Sequence, residues 1–382
     1  MQKKNVLLFL EGNTDIRYIR GLAENSNLEI AIPKEIYEKN GGLKNRIKNL
    51  DSDIKVHTIS AGRILFQLKS FMFLFKNIRR FDLVFSQENL RGTLNANMAG
   101  LIFNRPVYSF TCFPAVEYYA CRLKRQQIGY LKYLVGVSVI RLLLFLNSKL
   151  TKSWIILGPY LESLYKNKCS HYSLGQYYGV DVNYFKPATI SKIEIRNKLK
   201  LPISGFLVFF SSRVSHEKDP DSVLKAVNEL NKEGHEVSLL NLSGNYQEMI
   251  DLAKKLNLVN YDKWLIACPA VDPTKELAEY YQASDLVIQA SLEEGLGLSP
   301  LEALACEIPI IVSKVGGLAA HLNEYGEFFR AGDAQDLKNK IENFKTNPSP
   351  LLLKANAGRQ YVLQNWSQEI AYNSIKKVIS NN

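Results

Sequence analysis

The chain has 382 residues, 46% of them apolar and 22% charged, a globular composition too long for one ordinary core and suited to two domains. Its net charge of +11 is uneven: residues 1–187 carry 27 Lys and Arg against 13 Asp and Glu, whereas the remainder carries 21 against 24. One half is therefore suited to work near an anionic surface, and five scattered cysteines without metal-ligand or C-x-x-C spacing read as buried reduced thiols.

The opening MQKKNVLLFLEGN has too short an apolar run for a secretory leader. Residues 4–10 read as a buried strand, followed by a loop at 11–14, a helix at about 15–25 and a strand at 28–32. Residues 36–47 suit a helix broken at Gly41 and Gly42, and 56–60 a strand. The run ILFQLKSFMFLF (64–75) has helical length, 82–86 reads as a strand, 92–104 as a helix and 107–111 as a strand. YLKYLVGVSVIRLLLFLNSKL (130–150) is the most apolar stretch. Lys132 and Arg141 interrupt it, which predicts a buried helix of the first domain; the alternative is an interfacial helix lying in a bilayer surface. A strand at 154–157, a helix at 159–167 and a strand at 173–177 complete the half. Strands alternating with helices at this spacing predict parallel, doubly wound sheets.

YGVDVNYFKP (178–187) closes the first domain, and a linker with a helical segment is expected at 188–204. Strands at 206–210, 237–242 and 264–267 alternate with helices at 220–232, about 246–256 and 275–282. Between the first strand and its helix lies SSRVSHEKD (211–219). Arg213 and Lys218, five apart on one loop, can converge on a diphosphate, the first as a fork and the second as a point charge; taken alone they read more readily as two solvated loop cations. SDLVIQASLEEGLGLSPLEALACEIPIIVSKVGG (284–317) then gives a strand at 285–289, a glycine loop at 291–298, a short helix and a strand at 310–313. Ser299 with Pro300 and Glu302 predicts a capping-box helix start, whose free N–H groups suit an anionic ligand. Helices at 334–344, 350–364 and 368–379 end the chain.

The stretch EGLGLSPLEALA closely resembles the nucleotide-sugar signature of retaining glycosyltransferases of the GT-B fold, family 4. Residues 211–219 resemble that family's G-R-L-x-x-x-K-G segment, 178–187 its N-G-V-D-x-x-x-F-x-P segment and 281–285 its Y-x-x-A-D segment. The resemblance implies an α/β chain of two Rossmann-like doubly wound domains facing a central cleft. It places an acceptor-binding domain at 1–187, a linker at 188–204, a nucleotide-sugar domain at 205–365 and a final helix at 366–382 packing back on the first domain. Arg213 and Lys218 would hold and stabilise the leaving diphosphate, with Ser212 beside them. Glu294 would face the donor sugar, Glu302 would hold the ribose, and loop N–H groups of Gly295, Leu296, Gly297 and Leu298 would meet diphosphate and sugar. Gly12 would bring backbone near the phosphates.

Arg213, Lys218 and Glu294 are thus the candidate catalytic groups. The chain departs from the family pattern at Ser212 and Asp219, where glycine is usual, at Ala320, where an acid is usual, and at 111–118, which lacks the family's histidine. Glu117 is the acceptor candidate there, against a plain reading as a helix-start carboxylate near Arg122. No His-x-x-x-His pattern predicts a metal, and neither metal nor cofactor is expected. The expected partners are a nucleotide-sugar donor (UDP ahead of GDP), a lipid-linked or polysaccharide acceptor and an anionic membrane surface, at the inner face of the cell membrane. Nucleic acid is not expected, because the basic residues are spread out. Rival readings are a small-metabolite glycosyltransferase, a UDP-sugar epimerase, or an idle nucleotide-sugar binding module.

Overall fold

The computed structural model describes residues 3–38, 43–50, 53–60, 62–175 and 177–381. The chain divides into two units, Met1–Gly179 with Gln368–Asn382, and Val180–Ser367. In the first, strands β1 (Asn5–Phe9), β2 (Asn27–Pro33), β3 (Lys55–Ile59), β4 (Leu83–Gln87), β5 (Val107–Thr111), β6 (Ser153–Ile156) and β7 (Tyr172–Leu174) form one sheet in the order β3-β2-β1-β4-β5-β6-β7. In the second, β8 (Phe206–Phe210), β9 (Val237–Ser243), β10 (Leu265–Pro269), β11 (Leu286–Gln289), β12 (Ile310–Ser313) and β13 (Glu327–Phe329) take the order β10-β9-β8-β11-β12-β13. Every strand pair is parallel. Helices cover both faces of such sheets, which is why central strands such as NVLLF and FLVFF are apolar without alternation.

Strand order reverses between β1 and β4 in one unit and between β8 and β11 in the other. Loops leaving the carboxyl ends of those strands diverge, and a crevice opens between them. The helix Ile16–Asn25 begins on Asp15, whose carboxylate accepts from the Arg17 N–H at 2.9 Å. The helix expected at 36–47 is two pieces, Lys34–Glu38 and Leu43–Lys48, and the Gly41–Gly42 break lies outside the described residues. β13 escaped prediction because three residues are too few to show a period.

Two expectations need correction. The segment at 188–204 packs as part of the second unit instead of linking two bodies. Its helix Lys192–Lys198 starts with a capping box of Ser191 and Glu194, and the buried Arg196 donates to Ala283 O at 2.9 Å and Asp285 Oδ2 at 2.6 Å. The helix Tyr130–Leu150 is not buried: only 28% of its most apolar 18-residue window is covered. One side packs inward through Val137, Ile140, Leu144 and Asn147, and the rest is exposed. The final helix, Gln368–Ser380, belongs to the first unit, where Ile379 O accepts from Lys4 Nζ at 3.0 Å.

Candidate donor site at the carboxyl edge of the second sheet

After β8 the chain turns through residues 211–219. Asn241 on neighbouring β9 fixes that turn, donating to Phe210 O at 2.8 Å and Ser212 O at 2.9 Å. The turn ends on Asp219 at φ +50°, in the left-handed region where glycine is favoured and Asp is tolerated. Its carboxylate also accepts from the Ser222 hydroxyl at 2.6 Å, so the departure from glycine is accommodated locally.

The loop after β11 meets this turn across the strand-order reversal. Lys218 Nζ donates to Glu294 Oε2 at 2.6 Å, and the same oxygen accepts from Ser291 Oγ at 2.9 Å and Gln289 Nε2 at 3.1 Å. Ser212 Oγ donates to the other end of the Gln289 amide at 3.1 Å, and Leu292 N to Glu217 O at 2.8 Å. Burial alone would push the Glu294 carboxyl up. The Lys218 charge, with hydrogen bonds from Lys218, Ser291 and the Gly295 N–H, outweighs it and holds the group below its ordinary value.

The far side of the loop is held from the helix Gly316–His321. Gly317 N donates to Glu294 O at 2.8 Å. A Cβ on Gly317 would stand 2.1 Å from Gly295 O, a close approach only glycine permits. His321 donates through Nε2 to Leu296 O at 2.8 Å, while its Nδ1 faces the Tyr361 hydroxyl at 3.4 Å. Burial drives this imidazole down to about 4, against smaller opposing effects of the Leu296 carbonyl and Glu294, so it is neutral at pH 7.

The predicted capping box does not form. The helix runs Leu298–Ala305 from Gly297 at φ +94°, two residues early, and no side chain caps it. Ser299 instead donates to Ser211 O at 3.0 Å, and the buried Glu302 accepts from the Tyr281 hydroxyl at 2.7 Å. Tyr281 also meets Ser211 Oγ at 2.7 Å, so Glu302 joins the β8 turn through a phenol and a hydroxyl. Arg213 departs further from expectation. Its side chain is 71% exposed and pairs with Glu217, four residues on, instead of converging with Lys218. Of the four charges expected around one ligand, Lys218 and Glu294 touch, Glu302 lies on the same connected network, and Arg213 points to solvent.

In the first unit, Gly12 follows β1 at the corresponding reversal. It lines a cavity of about 530 Å³ with Glu11, Gln67, Glu88 and Arg91. Glu11 accepts from Gly92 N at 2.7 Å, pinning the loop to the start of the helix Arg91–Phe103. Glu88 leaves β4 at φ +60° and accepts from Cys112 Sγ at 2.8 Å; burial raises its carboxyl to about 7 despite that bond and those from the Cys112 and Phe113 N–H groups. Glu117 opens into a different cavity, of about 520 Å³, beside Arg141, Lys149 and Lys168.

Residues 191–360 match the family described as glycosyl transferases group 1. The match lies within the second unit. A D-inositol 3-phosphate glycosyltransferase of Xylanimonas cellulosilytica is 32% identical over 144 residues, 37% of this chain and 34% of that protein. Its counterpart in Streptosporangium roseum is 30% identical over 207 residues, 50% of this chain and 46% of that one. The chain thus spans less than half the length of these curated relatives. Among solved structures, HepE of Anabaena in complex with UDP and glucose superposes with a TM-score of 0.78 at 16% identity, covering 99% of this chain and all of that one. WaaG, a glycosyltransferase involved in lipopolysaccharide biosynthesis, gives 0.72 at 14%, with the same coverage. These likenesses establish the GT-B fold.

Of the residues named from the sequence, the structure joins Ser212, Lys218 and Glu294 in one network, and it adds Gln289, Ser291 and His321, which sequence reasoning did not name. Gln289 was legible in principle, as a buried amide ending an otherwise apolar strand. His321 was not, because its partner Leu296 O is a backbone atom 25 residues away. Glu233, His235 and Glu342 also gather in the second unit, but Lys338 Nζ already bonds both carboxylates, at 2.6 and 3.0 Å.

Proposed function

We propose that the chain is a retaining glycosyltransferase that moves a sugar from a nucleoside-diphosphate sugar to an acceptor hydroxyl. The observation that carries the reading is the Lys218–Glu294 contact, at the crevice of the unit that matches group 1, between the two loops that flank the strand-order reversal. A cation at that place offsets charge developing on a departing diphosphate, so the reaction as proposed requires no metal. Glu294 meets the sugar hydroxyls, Glu302 the ribose, and the N–H groups of residues 295–298 the phosphates. Arg213 completes the clamp by exchanging Glu217 for a phosphate oxygen, a swing its exposure allows. UDP is the carrier to test first, since HepE was solved with UDP and glucose.

The acceptor is proposed to be a lipid-linked or polysaccharide hydroxyl in surface-glycan assembly, at the cytoplasmic face of the cell membrane. A second reading, a small phosphorylated polyol as acceptor, is favoured by the names of the curated relatives.

A panel of UDP- and GDP-sugars tests the proposal. The matching donor raises the melting temperature by mass action and is slowly hydrolysed without acceptor, releasing the anomer of the donor. No shift with any donor, or an inverted anomer, refutes it.

A further inference from the structure

Three neighbouring helices of the first unit leave apolar side chains uncovered. On Arg63–Asn77 these are Leu65, Leu68, Met72 and Phe75, spaced three or four apart and so on one side. On Arg91–Phe103 they are Met98, Leu101 and Ile102, and Phe75 meets Phe103 edge-on at 4.9 Å, joining the two helices. On Tyr130–Leu150 the stripe is Leu131, Val135, Leu142 and Phe145, with Leu131 74% exposed. Contacts between the first and second helices, and between the second and third, put the stripes side by side in one layer. Exposed apolar surface on this scale marks a docking face.

Charge identifies the occupant. The three helices hold seven Lys and Arg and no Asp or Glu. A second copy of this chain docking through the same face would set cation against cation. An anionic lipid surface satisfies both features, apolar stripes entering the acyl boundary and cations meeting head-group phosphates. The cavity beside Phe145 fits such a phosphate, lined by Arg141, Lys149 and Lys168, with Glu117 Oε2 buried there without a hydrogen-bond partner and placed to take a head-group hydroxyl.

The helix Tyr130–Leu150 is long and apolar enough to cross a bilayer, but its inner side is polar at the decisive place. Buried Asn147 accepts from Asn97 Nδ2 at 2.9 Å and donates to Leu90 O at 3.0 Å. Crossing would break both bonds inside hydrocarbon, so the helix lies along the surface.

We infer that this three-helix layer is a monotopic docking face for anionic lipid. The inference deepens the lipid-acceptor proposal by naming the surface that meets the lipid, and it is read without catalysis. The full chain is floated with vesicles of phosphatidylcholine alone, or of equal parts phosphatidylcholine and phosphatidylglycerol. Wild type is expected to co-float with the mixed vesicles at low salt, and at least tenfold less with the neutral ones. A variant carrying Leu131→Glu, Leu142→Glu and Phe145→Glu, all exposed positions, should lose at least tenfold in binding with an unchanged melting temperature. Arg141→Ser with Lys149→Ser should erode the preference for phosphatidylglycerol. Wild type left at the bottom of both gradients overturns the inference, as does Glu-variant flotation equal to wild type. A concentration-dependent dimer abolished by the Glu variant, without vesicle binding, assigns the face to self-association and overturns it too. Donor hydrolysis, measured separately without vesicles, tells a failure of this surface from a failure of the donor site.

Discussion

Lys218→Ala separates a catalytic cation from a structural one. In the wild type the ammonium lies 2.6 Å from Glu294 Oε2, with both side chains roughly one-fifth exposed at 20% and 17%. A hydrogen bond to a charged partner contributes about 1.5–3 kcal/mol when both groups are removed from water. Here Glu294 keeps Ser291 and Gln289 as donors, so the loss of stability should fall at or below the low end, about 1–2 kcal/mol. Activity should suffer more. Removing one preorganised charge from a developing anion costs about 2.7–4 kcal/mol, or roughly 10²–10³ in kcat. The assay pairs initial rates at saturating donor with a urea unfolding curve of the same preparation. A purely structural lysine moves the midpoint and spares the rate, whereas the proposed role lowers kcat well beyond what the midpoint explains. Glu294 supplies an internal check: without Lys218 its carboxyl loses its main opposing charge, so an acid limb of the rate profile governed by it moves to higher pH. A kcat within about threefold of wild type, equivalent to about 0.7 kcal/mol, refutes the assignment.

Acid should loosen the donor loop through His321. Its folded value of about 4 lies below the ordinary 6.5, so its contribution is complete above 6.5 and is lost as pH falls through 4, to a limit of about 3 kcal/mol; His321→Gln should flatten that part of a stability–pH curve. Glu88 runs the other way. Its value is raised from 4.5 to about 7, so its contribution is full below 4.5 and is lost as pH rises through 7, again about 3 kcal/mol at most, and Glu88→Gln should remove the slope across that window. Gly317→Ala must displace the Gly295 carbonyl and should cost about 1–3 kcal/mol in urea unfolding, with weaker donor binding. A stability unchanged by Gly317→Ala would mean that the loop is not held where the structure places it.

The strand sequence and the switch-point loops were legible because each rests on short-range pattern: apolar runs of four or five residues bounded by Gly, Pro and Ser. Glu294 and Lys218 could be paired from the sequence through motif resemblance, since no local rule joins residues 76 positions apart. The capping box failed for a specific reason. Ser299 and Glu302 have the right spacing, but Ser211 and Tyr281, distant in sequence, offer them better partners in the fold. Residues 130–150 misled in the opposite sense, because hydropathy reports what a helix could bury and not what covers it. Val137, Ile140 and Leu144 turn one side of that helix inward and the Asn97–Asn147 bond holds it there, and nothing in composition tells that side from the exposed one.

The same partnerships bear on how the donor loop works. Residues 290–297 are tied on one side to the β8 turn by Lys218–Glu294 and by Leu292 N to Glu217 O, and on the other to Gly316–His321 by Gly317 N to Glu294 O and His321 to Leu296 O. A loop held from both sides loses its conformational freedom when the chain folds, so ligand binding does not have to supply that ordering. Arg213 is different: it is exposed, and its partner Glu217 must be given up before it can reach a phosphate. On the proposed function, the site would combine a fixed cation with a recruited one. Lys218→Ala should then act on turnover and loop stability together, whereas Arg213→Ala should lower turnover while leaving the unfolding midpoint within about 0.5 kcal/mol of wild type.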